Sequence, residues 1–203
     1  MKISHRIMYY DHMGDAAFEK LYSYVQRNMD CVDEVALFTE FSHHGYVPFE
    51  LIRKNAEIIK EHIKKLKELG VKQVGINILC TIGHIDEAWD WLAESPYQTV
   101  VGHDGTTSTA NLCIRGDGYK EYILEKYRIY AEVGPDLIWL DDDLRVNNHT
   151  AQYPCFCQKC IREFNKLYSS SWNRETLVEI LNSPSGDIWR KRWVEYNRDA
   201  LPQ

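Results

Sequence analysis

Short apolar runs alternate with amphipathic stretches along most of the chain. The first run, HRIMYYD (5–11), ends in Asp and precedes a helical pattern from Asp15 to about Asn28. EVALFTE (34–40) is a second candidate for a buried strand. The clearest helix follows in PFELIRKNAEIIKEHIKKLKELG, where Ile52, Ala56, Ile59, Ile63 and Leu66 step by four and three. Pro48 stands ahead of it and Gly70 stops it. KQVGINILC (72–80) predicts a third strand and DEAWDWLAE (86–94) a short helix. The polar segment 95–116, centred on GHDGTTSTAN, reads as a long loop, of a length that compact domains keep for function or leave disordered. A helix over 117–133 then carries Tyr119, Tyr122, Ile123, Tyr127 and Tyr130 on adjacent faces, and Gly134-Pro135 ends it. DLIWLD (136–141) is the fourth strand. CIREFNKLY, NRETLVEIL and DIWRKRWVEYNRDAL read as three closing helices.

Four βα units with buried strands predict an α/β fold with a parallel sheet, and their regular repetition points to a TIM-barrel-like (β/α) architecture. Eight such units need about 250 residues, so 203 residues form a half-barrel of four units plus C-terminal helices, read as a single domain over 1–203. Three arrangements remain open: the N-terminal piece of a longer barrel, a half-barrel that pairs with a second copy, or an open four-stranded sheet. Exposed edge strands favour self-association.

Composition narrows the function classes. Hydrophobic residues at 44% and charged residues at 27% are ordinary for a globular domain. A net charge of −6 argues against a nucleic-acid partner held through phosphates. The lysines of KEHIKKLKELG alternate with an apolar stripe and form the wet face of a helix. No run reaches the roughly 18 apolar residues of a membrane span, and MKISHRIMYYDHMG has no apolar signal region, so the expectation is a cytoplasmic protein without a membrane partner. Six Trp and thirteen Tyr suit either large core side chains or a cleft for a carbohydrate substrate.

Reactive side chains in parallel α/β folds gather at the carboxyl ends of strands. That rule selects Asp11 and His12, then Glu40 with His43 and His44, then Cys80, His84 and Asp86, and finally the run Asp141, Asp142 and Asp143 with Arg145 beyond it. A lone acidic residue after a strand is commonly a helix cap or turn. Three adjacent carboxylates repel one another unless a cation, a hydrogen-bond network or a substrate offsets them; Arg145 is a ready structural partner. A hard-ion site is disfavoured, because its ligands normally come from several strands. His84 and His103 are the weaker candidates for binding sugar, since a loop histidine is more often just solvated.

The cluster CFCQKC (155–160) carries a more specific signal. C-x-C-x2-C offers three soft ligands to one tetrahedral ion, with zinc the best match and a closed, structural site the expected form. Cys113 in NLCIRGDGY is the first candidate for the fourth ligand and His149 the second. Cys31 and Cys80 read as small buried residues.

The run from NLCIRGDGY through DLIWLDDDLR to CFCQKCIREFNKLY resembles the fourth βα unit of the family 42 glycoside hydrolases, the β-galactosidase type. The specific part of the likeness covers roughly 105–170. It implies a structural Zn2+ bound by Cys113, Cys155, Cys157 and Cys160; Cys113 stands 42 positions before Cys155, as the family layout requires. It also implies glycosidase activity with a catalytic carboxylate at the end of the fourth strand. The family has Asn-Glu there, whereas this chain has Asp142-Asp143. An Asp at this place is similar to the nucleophile of α-galactosidase and α-fucosidase barrels, which leaves role and anomer open. The family's second carboxylate belongs to the other half of the barrel. Glu40, His84, His103, Asp141 and Arg145 are the expected sugar-binding or orienting groups. The alternative is a non-catalytic, zinc-stabilised carbohydrate-binding module.

Overall fold

A computed structural model describes residues 2–79, 81–83, 95–141 and 150–200. The chain divides into two compact units. One comprises Met1–His43, Val47–Thr81 and Tyr122–Asp143; the other comprises His44–Tyr46, Ile82–Glu121 and Leu144–Gln203.

The first unit is built on a four-stranded parallel sheet in the order β1 (Ser4–Ile7), β2 (Glu34–Phe38), β3 (Gln73–Ile78), β6 (Ile138–Leu140). Helix α1 (Asp15–Arg27) links β1 to β2, and α2 (Phe49–Leu69) links β2 to β3. A mixed α/β fold with consecutive parallel strands is therefore present, as the alternating pattern predicts. Each strand needs a crossover helix to return in the same direction, which fixes the β–α–β order.

Helix α2 buries Ile52, Ala56, Ile59, Ile63 and Leu66, the stripe read from the sequence. It stops at Gly70, whose φ of 107° lies in the left-handed region open to glycine. Its amide and that of Val71 return to the carbonyls of Lys67 and Leu66.

Register places Glu34, Ala36 and Phe38 of β2 beside Gln73, Gly75 and Asn77 of β3, and Asn77 beside Trp139 of β6. Side chains in register share a face. One sheet face thus sets Glu34, Gln73 and Asn77 among Ala36, Phe38 and Trp139, while Val35, Leu37, Val74, Ile76 and Ile78 form a wholly apolar opposite face. Gly75 permits close approach of the chain before β6: a Cβ there would meet Leu137 Cγ at 2.6 Å.

The strands differ from expectation in burial. β2 is buried throughout, but Ile138, Trp139 and Leu140 of β6 are 38%, 42% and 48% exposed, and β1 alternates between exposed and half-buried. Among the described residues both are edge strands, each without a neighbour on one side.

The second unit contains the antiparallel hairpin β4 (Thr99–Val101) and β5 (Thr107–Leu112). This corrects the long-loop reading of 95–116. Its strands are rich in Thr, Ser and Asn, and Thr107–Leu112 alternates before ending in a buried Ala110-Asn111-Leu112 run, so its pairing is hidden behind polar composition. Helix α3 (Tyr119–Ala131) follows in sequence and from Tyr122 onward belongs to the first unit. The three closing helices are α4 (Gln158–Tyr168), α5 (Arg174–Asn182) and α6 (Asp187–Arg198). Phe156, Phe164, Leu177, Trp193 and Tyr196 form an aromatic-rich core with the buried cysteines. Among the described residues, no helix is long and apolar enough to cross a membrane.

Candidate metal centre and strand-end groups

Cys113 follows β5 directly, and Cys155, Cys157 and Cys160 lead into α4. Cys157 is the N-cap of α4 and Cys160 its third residue, so two sulfurs sit at the positive end of the helix. All four residues are 1–5% exposed, and their Sγ atoms lie within 4.8 Å of one another. Cys113 Sγ is 3.9 Å from that of Cys157 and 3.5 Å from that of Cys160. Zinc–thiolate bonds of about 2.3 Å imply tetrahedral sulfur–sulfur edges of about 3.8 Å. The spacing therefore fits one ion, and the donor set fits a soft one.

The backbone supports negative charge on the sulfurs. Val101 N–H donates to Cys155 Sγ and Cys160 N–H to Cys157 Sγ, each at 3.5 Å. A hydrogen bond from Cys113 pushes the Cys157 thiol far below its ordinary range, while hydrogen bonding with Cys113 pushes Cys160 far above it. A bound cation replaces the protons that such crowding forces the sulfurs to share. Cys31 corrects one reading, since it is exposed, at the end of a short turn before β2.

Glu40 lies just past β2 and is 3% exposed. Its Oε1 pairs with Lys126 Nζ at 2.9 Å, and Oε2 accepts from the Thr39 hydroxyl and from Leu79 N–H. Asp141, just past β6, receives Arg6 Nη2 at 2.7 Å and Asn77 Nδ2 at 3.2 Å. Arg6 also donates to Asn77 Oδ1 through Nε and Nη2. The carboxyl side of the sheet thus brings Arg6, Asn77 and Asp141 into one hydrogen-bonded set. Sequence reading missed Arg6, Asn77 and Lys126. A polar residue inside an otherwise apolar strand signalled Asn77, and the four-residue steps Tyr122–Lys126–Tyr130 signalled Lys126.

His12 is fully buried, with Nε2 2.9 Å from the Phe38 carbonyl oxygen, so that nitrogen carries the proton. Its Nδ1 lies 3.5 Å from His62 Nδ1, and Phe18 stacks on the His62 ring at 3.8 Å. Burial lowers both imidazoles to about 4. His103, in the β4–β5 turn, lies 3.3 Å from the Gln152 carbonyl oxygen through Nδ1 and packs edge-on to Tyr153. Asp11 is exposed. Cys80, His84, Asp86, Asp142, Asp143, Arg145, His149 and the expected helix 86–94 lie outside the described residues.

No family model matches the chain, and no curated protein matches it. Among solved structures, the chain is similar to a hypothetical protein from Ruminiclostridium thermocellum, with 13% identity and a TM-score of 0.49 over 98% of this chain and 93% of that one.

Proposed function

We propose that the chain is a zinc-braced glycoside hydrolase-like domain of TIM-barrel type, in which strand-end carboxylates cleave glycosidic bonds. The observation that carries this reading is the buried set Cys113, Cys155, Cys157 and Cys160. It joins residues from either side of the fourth parallel strand in the sequence, which is the layout implied by the family resemblance. The parallel order β1-β2-β3-β6 agrees with four successive units of a barrel. In this reading Asp142 or Asp143 is the catalytic carboxylate, and the metal has a structural role. A second carboxylate, from another chain segment or a second copy, completes the pair that glycosidases require.

One observation favours a second reading, a non-catalytic carbohydrate-binding module. The strand-end carboxylates of Glu40 and Asp141 are engaged by Lys126 and Arg6. The two readings separate in one assay series. Purified full-length chain is analysed for metal and incubated with aryl α- and β-glycosides. Zinc at about one per chain and aglycone release abolished by Asp142→Asn or Asp143→Asn support the glycosidase. Zinc with sugar binding and no turnover supports the binding module. Absence of stoichiometric metal after reconstitution with zinc overturns the metal centre.

A further inference from the structure

Four thiolates around a divalent ion carry a net charge of −2, here inside an apolar core. Buried charge requires compensation from nearby donors and cations. Two backbone N–H groups and the α4 N-terminus supply part of it. Arg115 stands two residues beyond Cys113, and its Nη1 pairs with Glu163 Oε2 at 3.7 Å. Its guanidinium carbon stands 3.9 Å over the Tyr196 ring, and Nη2 donates to the Tyr196 carbonyl oxygen at 2.7 Å. Arg115 Nε is buried without a hydrogen-bond acceptor among the described residues. Tyr196 is 3% exposed; its hydroxyl donates to Glu163 Oε2 at 3.2 Å and also lies within hydrogen-bond reach of the Cys160 side chain.

We propose that Arg115 and Tyr196 form the outer sphere of the tetrathiolate centre, so that metal retention and the seating of α6 depend on each other. This rests on the four-cysteine metal reading. On loading, the Tyr196 hydroxyl turns its one proton from Glu163 Oε2 to the Cys160 thiolate, and Arg115, already paired with Glu163, holds that carboxylate and the Tyr196 ring in place. Because Tyr196 belongs to α6, the same contacts hold that helix against the cluster. Both are positioning residues, since neither ligates the ion.

The test uses the full chain reconstituted with zinc, or with cobalt(II) as a spectroscopic substitute. Transfer of zinc to a chromogenic chelator is timed for the unmodified chain and for Arg115→Gln, Arg115→Lys, Tyr196→Phe and the exposed control Arg162→Gln. Outer-sphere partners typically change metal affinity about 10–100-fold. Arg115→Gln and Tyr196→Phe are expected to release zinc at least about tenfold faster, with Arg115→Lys recovering most of the retention and Arg162→Gln unchanged. The cobalt–thiolate absorption should keep its intensity in all variants, because the four ligands stay in place. Hydrogen exchange across 187–198 should accelerate when zinc is withdrawn from the unmodified chain. Equal release rates for Arg115→Gln, Tyr196→Phe and the unmodified chain overturn the proposal, as does α6 exchange indifferent to metal. A chain that takes up no metal fails the cysteine reading itself, a result the initial stoichiometry makes distinct.

Discussion

The pair His12–His62 shows how a single side chain ties stability to pH. Both imidazoles are buried neutral, with folded values of about 4, against about 6.5 in an unfolded chain. The unfolded state therefore binds more protons between those values, and stability rises with pH across the window. Acidification from about pH 6.5 towards 4 should cost roughly 3 kcal/mol for the first of the two protons. Below about 4 this contribution is gone and the slope from these groups flattens. Urea midpoints measured from pH 7 to 4 check this, and His62→Gln should flatten the profile. Glu40 and Lys126 pose the complementary case. Removing one member of a buried ion pair strands the other charge, so Lys126→Met should destabilise by about 3 kcal/mol in urea unfolding. Adding Glu40→Gln should recover part of that loss. At this scale the grouping of Cys113, Cys155, Cys157 and Cys160 was legible, because soft ligands at metal spacing have few other uses, whereas the exposure of Cys31 was not. Glu40 was legible as a strand end, but its partner was not. Lys126 resembles any solvated helix lysine until its place between buried Tyr122 and Tyr130 is counted.

Among the described residues, helices were read well because their periodic stripes report burial directly. The α2 stripe and its glycine stop coincide with the observed element. The β4–β5 hairpin was not readable in the same way. Its residues pair through backbone groups and bury only part of one face, which leaves no long apolar run. Capping chemistry is the other element-scale signal. In α5, Asn173 Oδ1 accepts from Thr176 N–H at 2.8 Å while Thr176 Oγ1 accepts from Asn173 N–H at 3.1 Å. The reciprocal pair satisfies two helix-end donors. Asn173→Ala should therefore lower stability by about 1 kcal/mol, read as a lower urea midpoint with an unchanged slope.

For the molecule as a whole, the alternating pattern specified parallel strands but not how the sheet ends. β6 presents Ile138, Trp139 and Leu140 at an edge, with all three more than a third exposed. An edge of this kind is a template for pairing. Sedimentation should reveal concentration-dependent association, and Leu140→Lys should weaken it without unfolding the sheet. A monomer at all concentrations counts against pairing through β6. The polar set on one sheet face was invisible from hydrophobicity alone, since Arg6, Asn77 and Asp141 find one another only after three separate strands are placed in register.

The position of the four cysteines along the chain has a topological consequence. Cys113 and Cys155 stand 42 positions apart, so an ion held by the cluster would pin shut a loop of chain as a disulfide does, but reversibly. Closing a loop of that size removes unfolded-state entropy worth about 4 kcal/mol. The bridge is also indifferent to the continuity of the chain between its two feet. A single backbone cut anywhere between them should leave two fragments that migrate together while zinc is bound and separate when a chelator removes it. An ion bound there would act as a removable rivet across a severed polypeptide.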